Sequence, residues 1–209
     1  MKNKTLRAKK MLREDIQRGF QKSGVHTFYR LESPYSEITD QFKKFEEKIA
    51  NSDSAKSVEI RNIVHPEDDL NFMFLYNAIF IAAPDPSRIV TLEDVQTFPT
   101  ERTLIATLWH TFAGFVYLTV EKDPMGSEEI VGAIAGIGVL PKYRGRKIGL
   151  LLLQHSIEFF KDKGIEKLIC EVYEHNEASL KMFQSLGMKI VGHMILEDEQ
   201  PNLEDINAN

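Results

Sequence analysis

Apolar residues recur along the chain with two periods, and the switches between them predict the elements. Ala8, Leu12, Ile16 and Phe20 recur every four residues, which predicts a basic helix over residues 1–22 that Gly24 stops. Ile38, Phe42, Phe45 and Ile49 lie on one stripe with charge opposite it, predicting a second helix over residues 36–50. Asn51-Ser-Asp-Ser reads as a linker, and we place the boundary of the main domain near residue 57. Residues 58–64 alternate apolar with polar and predict a strand. Pro66-Glu-Asp-Asp opens a helix well, because proline suits its first turn and acids suit the positive end of its dipole. That helix is apolar nearly all round, which predicts burial or a place in a pocket wall. Pro84-Asp-Pro-Ser reads as a turn, and Thr91 with Asp94 as the cap of a short helix. Strands are expected at 103–110, 114–120 and 130–140, with Asp123-Pro-Met-Gly-Ser as the last turn between them. Leu150, Leu153, Ile157 and Phe160 mark a helix over 147–163 that Gly164 ends. A strand over 167–173, a helix over 177–186 and a strand over 189–196 complete the pattern.

Composition narrows the class. The chain has 209 residues, 43% hydrophobic and 27% charged, as one ordinary domain with an extension would have. Thirteen Phe and six Tyr supply the apolar area for a sizeable core. The net charge of −5 gives no overall sign of a nucleic-acid partner, and none is expected. Residues 1–30 nevertheless carry +7, leaving the rest at −12, and residues 197–209 read as an acidic, solvated tail. One cysteine, Cys170, permits no disulfide within the chain and no cysteine-based metal site, which points to a cytoplasmic protein. The six His show no metal-ligand spacing, so no metal is expected. No secretory leader is expected, and the longest apolar run, residues 72–83, is broken by Asn77 and too short for a bilayer.

The most informative stretch is Ile137-Gly-Val-Leu-Pro-Lys-Tyr-Arg-Gly-Arg-Lys-Ile-Gly-Leu. A strand runs into a glycine- and arginine-rich turn that opens a helix, so free amides and the positive dipole end meet there, a ready site for a pyrophosphate. Arg144, Arg146 and Lys147 add charge, while Gly145 and Gly149 permit close approach. Neither a Walker A loop nor a G-x-G-x-x-G fingerprint is present.

This run resembles the acetyl-CoA-binding motif of the GNAT superfamily of N-acyltransferases, Arg/Gln-x-x-Gly-x-Gly/Ala after a strand ending in Val-x-Pro. Here it reads Arg144-Gly-Arg-Lys147-Ile148-Gly149-Leu150. Asn176-Glu-Ala-Ser-Leu-Lys-Met-Phe183-Gln-Ser-Leu-Gly-Met similarly resembles the family's downstream Asn-x-x-Ala-x-x-Leu-Tyr-x-x-x-Gly-Phe segment. The resemblance covers about 140 residues, 58–196. It implies an α+β fold: a mixed, mostly antiparallel sheet flanked by helices, here with an N-terminal helical extension over 1–57. Two neighbouring parallel strands would splay apart and accept the pantetheine arm. The backbone of Ile137, Gly138 and Val139 would pair with that arm, and one amide there would polarise the thioester carbonyl. The implied activity is transfer of an acyl group from acetyl-CoA, the co-substrate, to a primary amine in a ternary complex. The acceptor is left open among a protein N-terminus, a lysine and a small amine, and a homodimer is left open as well. A non-catalytic acyl-CoA sensor is the alternative.

Two departures from the family's pattern bear on the chemistry. Lys147 stands where the signature has its first glycine. Phe183 stands where many members have a tyrosine that protonates the departing thiolate, and it reads as core packing; Tyr143, Tyr173 or water would have to replace that hydroxyl. Amine acylation also needs a base. Glu171 is the first candidate, because some members that acetylate protein N-termini carry a Glu there. His175, Glu174 and His110 are its rivals. Trp109, Tyr76 and Phe74 are candidates for the acceptor pocket, although ordinary core packing explains each as well.

Overall fold

The structure, a computed structural model, describes residues 25–50, 57–86, 89–123 and 128–197. Seven strands form one sheet in the order β2-β3-β4-β5-β6-β1-β7. They are β1 (Val25–Pro34), β2 (Val58–Asn62), β3 (Thr103–Leu108), β4 (Thr111–Lys122), β5 (Ile130–Val139), β6 (Lys167–Tyr173) and β7 (Lys189–Glu197). Every pairing is antiparallel except that of β5 with β6. The helices are α1 (Tyr35–Ala50), α2 (Asp69–Ile81), α3 (Leu92–Val95), α4 (Ile148–Phe160) and α5 (Glu177–Ser185).

Strand alternation divides the core between the two faces of the sheet. Leu104, Ala106 and Leu108 of β3 and Val116 and Leu118 of β4 pack with α1, α4 and α5. Ile105, Phe115 and Tyr117 point the other way and pack with Phe72, Leu75, Tyr76 and Ile79 of α2. Thr91 caps α3 reciprocally with Asp94, as its spacing predicts. α2 lines a cavity with Tyr76, Ile79 and Phe80, one of the two places its apolar sequence predicts. One side is buried, but Leu70, Phe74 and Ile81 stand in solvent.

The boundary expected near residue 57 does not separate two structural units. Residues 25–34, to which the periodicity assigns no element, form β1, and β1 lies between β6 and β7, hydrogen-bonded to both. The pattern hides this strand because two of its inward positions are polar. His26 and Arg30 are each 5% exposed. His26 lies 3.5 Å from the Tyr173 hydroxyl. Arg30 donates to Asp123 at 2.7 Å and to Glu32 at 2.6 Å. α1 follows directly, and Ile38, Phe42 and Ile49 are buried in the main core with Phe45 packed against them. The helix expected over residues 1–22 and the tail from residue 198 lie outside the described residues.

Arg30 and Asp123 belong to a buried charge network. Lys167 reaches Asp123 at 2.7 Å, Glu129 at 3.1 Å and Glu32 at 3.2 Å. Those carboxylates hold the Lys167 ammonium well above the usual lysine range, with the Asp123 hydrogen bond contributing most. The network ties β1 and β6 to the end of β4 and so fixes the base of the β5–β6 pair. Removing one partner of a buried ion pair strands the other charge and costs about 3–5 kcal/mol. Asp123→Ala is therefore expected to lower stability by about that amount, read from the urea midpoint at constant slope.

Candidate active site

The site is built where β5 and β6 separate. Their parallel pairing runs only from Val131–Lys167 to Ile134–Cys170. Beyond it β5 continues to Val139 and β6 to Tyr173 with no bridge between them, as the resemblance implies. A β-bulge helps to turn β5 away: Gly136 pairs with Tyr117 and Ile134 with Leu118, so Ala135 is the extra residue. The Leu140 amide donates to the Ala113 carbonyl at 2.9 Å. Strand alternation then aims the polar groups of Gly138 at β4 and those of Ile137 and Val139 at the gap. The expected backbone contacts thus narrow to Ile137 and Val139. Gly138 contributes by lacking a side chain, since a Cβ there would sit 2.4 Å from Ile79 Cγ2.

At the end of β5, residues 140–147 turn into α4. Arg144 Nε donates to the Val139 carbonyl at 3.2 Å. Gly145 has φ 76° and Lys147 φ 61°, so Lys147 adopts the left-handed conformation that the family's glycine takes freely. Lys147 provides no side-chain cap for α4. The first helical bond runs from the Leu151 amide to the Lys147 carbonyl, so the amides of Ile148, Gly149 and Leu150 precede the ladder and face its N-terminal end. The Ile148 side chain is buried, which leaves its amide as the part a ligand can reach. Arg144, Gly145, Arg146 and Lys147 are exposed. The Arg146 guanidinium lies 5.8 Å over the ring of Trp109, which is 65% exposed and stands outside the cavity.

From this turn a cavity of about 550 Å³ runs along the gap. Ile137, Gly138, Val139, Arg144 and Gly149 line it, and Met182 lies beside Gly149. Glu171, His175, Asn176 and Phe183 line it as well, with Phe28, Tyr76 and Phe80 as aromatic walls. Of the aromatic candidates, Tyr76 thus lines the cavity, while Phe74 is exposed on the outer side of α2. Glu171 sits on β6 opposite Arg30 of β1 and shares a face with Tyr173. His175 is exposed, and its ring meets Tyr173 edge-on at 5.2 Å. Glu174 and His110 do not line the cavity, and neither do Tyr143 or Tyr173. Burial holds the Tyr173 hydroxyl above the usual tyrosine range. Phe183 is 2% exposed and belongs to the main core, with part of its ring at the cavity wall.

One site residue escapes the sequence reading. Asp85 lies in the segment after α2 that reads as a plain turn, yet it lines the cavity. Asn176 Nδ2 donates to its carboxylate at 2.6 Å, and Asn176 Oδ1 accepts from the Ser179 amide, capping α5. Only the tertiary approach of residues 82–86 to the start of α5 reveals this, and no local motif announces it.

Comparison with known proteins agrees with this geometry. The family model described as acetyltransferase (GNAT) family matches residues 71–188. A mycothiol acetyltransferase of Renibacterium salmoninarum is 22% identical over 63% of this chain and 40% of its own length. One from Thermobifida fusca is 27% identical over 65% of this chain and 45% of its own. The chain thus spans less than half the length of these curated relatives. The aminoglycoside N-acetyltransferase AAC(6')-Iy in complex with CoA shares the fold, with a TM-score of 0.53, 20% identity, and coverage of 70% of this chain and 92% of that one. The family match takes in the splayed strands, the turn over residues 140–147 and the Asn176 helix together, and the chain belongs to the acetyltransferase (GNAT) family.

Proposed function

We propose that this chain is an acetyl-CoA-dependent N-acetyltransferase that acylates the primary amine of a small molecule by direct attack in a ternary complex. The observation that carries this reading is the single cavity that joins the phosphate turn, the β5–β6 gap and a carboxylate-bearing pocket. Bound acetyl-CoA would supply an activated acyl group as a thioester. The amides of Ile148, Gly149 and Leu150, with Arg144, Arg146 and Lys147, fit its pyrophosphate. Ile137 and Val139 offer their backbone groups to the pantetheine amides, and one of these amides can also stabilise charge developing on the thioester oxygen. Glu171 accepts the acceptor's proton, directly or through water, so that the amine lone pair attacks the thioester carbon; the C–S bond breaks and CoA leaves as a thiolate that takes its proton from water. The mycothiol acetyltransferases and the aminoglycoside enzyme are named for small molecules, which supports a small acceptor here.

Phe183 favours a second reading, a non-catalytic acyl-CoA sensor, because it presents no hydroxyl at the cavity wall. An acceptor screen separates the two. Thiol release from acetyl-CoA that depends on an added amine supports the enzyme, and binding without turnover across amino acids, polyamines, aminoglycosides and peptides supports the sensor.

Trp109 is the chain's one tryptophan, and its contact with Arg146 makes it a reporter for the phosphate turn. Gly149→Val tests that turn. A Cβ at Gly149 meets Met182 Sδ at 3.6 Å, an ordinary contact, so the protein side has room for it. The added bulk is expected to crowd the phosphates and weaken acetyl-CoA binding at least tenfold, about 1.4 kcal/mol. Trp109 fluorescence and calorimetry check this, and unchanged affinity in the folded variant removes the turn from the site.

A further inference from the structure

Asp85 is a carboxylate in this cavity whose charge no described residue pairs with. Among the described residues its carboxylate accepts from the neutral amide of Asn176 and from its own backbone N–H. It pairs with no Lys, Arg or His there. The other charged side chains and histidine lining the cavity are Arg144, Glu171, His175 and Glu177; Glu177 is paired with Lys181 at 2.9 Å, and Arg144 Nε donates to the Val139 carbonyl. Burial pushes the Asp85 carboxyl above its usual range, while the Asn176 hydrogen bond pulls it down. An anion held in a desolvated cavity without a counter-ion is costly, and a cationic ligand removes that cost.

We propose that Asp85 is a specificity residue that binds a second ammonium group of the acceptor, so that the preferred substrates are amines carrying at least two cationic nitrogens. This rests on the acyltransferase reading above. Glu171 then serves the reacting amine from β6, while Asp85 holds the distal one from the segment after α2. Asn176 positions Asp85: its Oδ1 is fixed by the cap of α5, which leaves Nδ2 aimed at the carboxylate. Phe28, Tyr76 and Phe80 supply apolar wall for the carbon skeleton between the two nitrogens.

The test compares α,ω-diaminoalkanes of increasing length with monoamines of the same length, using the full chain saturated with CoA. Asp85→Asn is the informative variant. Its amide oxygen still accepts from Asn176, so a merely structural role survives while the charge is lost. Wild type is expected to bind one length of diamine by calorimetry more tightly than its monoamine. Asp85→Asn should lower that affinity about ten- to a hundredfold, as for loss of a charged hydrogen bond, and leave monoamine and CoA affinity unchanged. Equal binding of diamines and monoamines by wild type overturns the proposal, as does a preference that persists in Asp85→Asn. Because this readout is binding, it is independent of turnover. Diamine binding without acetyl transfer counts against the enzymatic reading and leaves Asp85's role standing.

Discussion

Glu171→Gln is expected to lower the rate of amine acetylation by about 10²–10⁴ while leaving acetyl-CoA affinity unchanged. The substitution keeps the shape of the side chain and removes its basicity. Glu171 lines the cavity on the stretch of β6 beyond the last β5–β6 bridge at Ile134–Cys170. Of its rivals, Glu174 and His110 are away from the cavity, while His175 lines it from an exposed position. The assignment therefore has a clear competitor. A variant within threefold of wild type would transfer the role to His175 or to solvent, and a parallel His175→Gln variant would then carry the loss.

Deleting residues 1–57 is expected to abolish cooperative folding rather than trim an appendage. Leu31, Ile38, Phe42 and Ile49 are each at most 2% exposed, and Phe28 is 5% exposed. Burying such side chains contributes about 1.5–3 kcal/mol each, so together they rival the whole stability of a domain, about 5–15 kcal/mol. The deletion also removes the strand that pairs with both β6 and β7, which leaves two open edges and frees Asp123 and Lys167 from Arg30 and Glu32. The expected result is loss of the sigmoidal melting transition. A truncated chain that melts cooperatively near the full-length temperature would show that β1 is dispensable.

How far the sequence could be read follows from where the information lies. The phosphate turn is legible because its function is local: Arg144, Gly145 and Gly149 stand at fixed spacing between a strand and a helix. α1 is legible for the same reason, since its apolar stripe carries its own period. β1 is not, because His26 and Arg30 occupy inward positions and become acceptable there only through Tyr173, Glu32 and Asp123. Burial of a charged residue is a tertiary fact that no period reports. Asp85 is hidden for a related reason. Pro84-Asp-Pro has the composition of an ordinary turn, and its meaning depends on Asn176, 91 residues later. The narrowing from three backbone contacts to Ile137 and Val139 likewise depends on the register of β5 against β4, which the bulge at Ala135 resets.

In the proposed reaction one cavity carries an acyl thioester from the turn over residues 140–147 to an amine. The most direct measurement incubates the full chain with acetyl-CoA and a mixed amine panel, follows free thiol, and identifies the product by mass. Thiol release is expected to require an amine, that amine to gain one acetyl group, and both signals to fall by about 10²–10⁴ in Glu171→Gln and, at sub-saturating acetyl-CoA, by about tenfold in Gly149→Val. Saturable acetyl-CoA binding with no amine-dependent thiol release across the panel would contradict it.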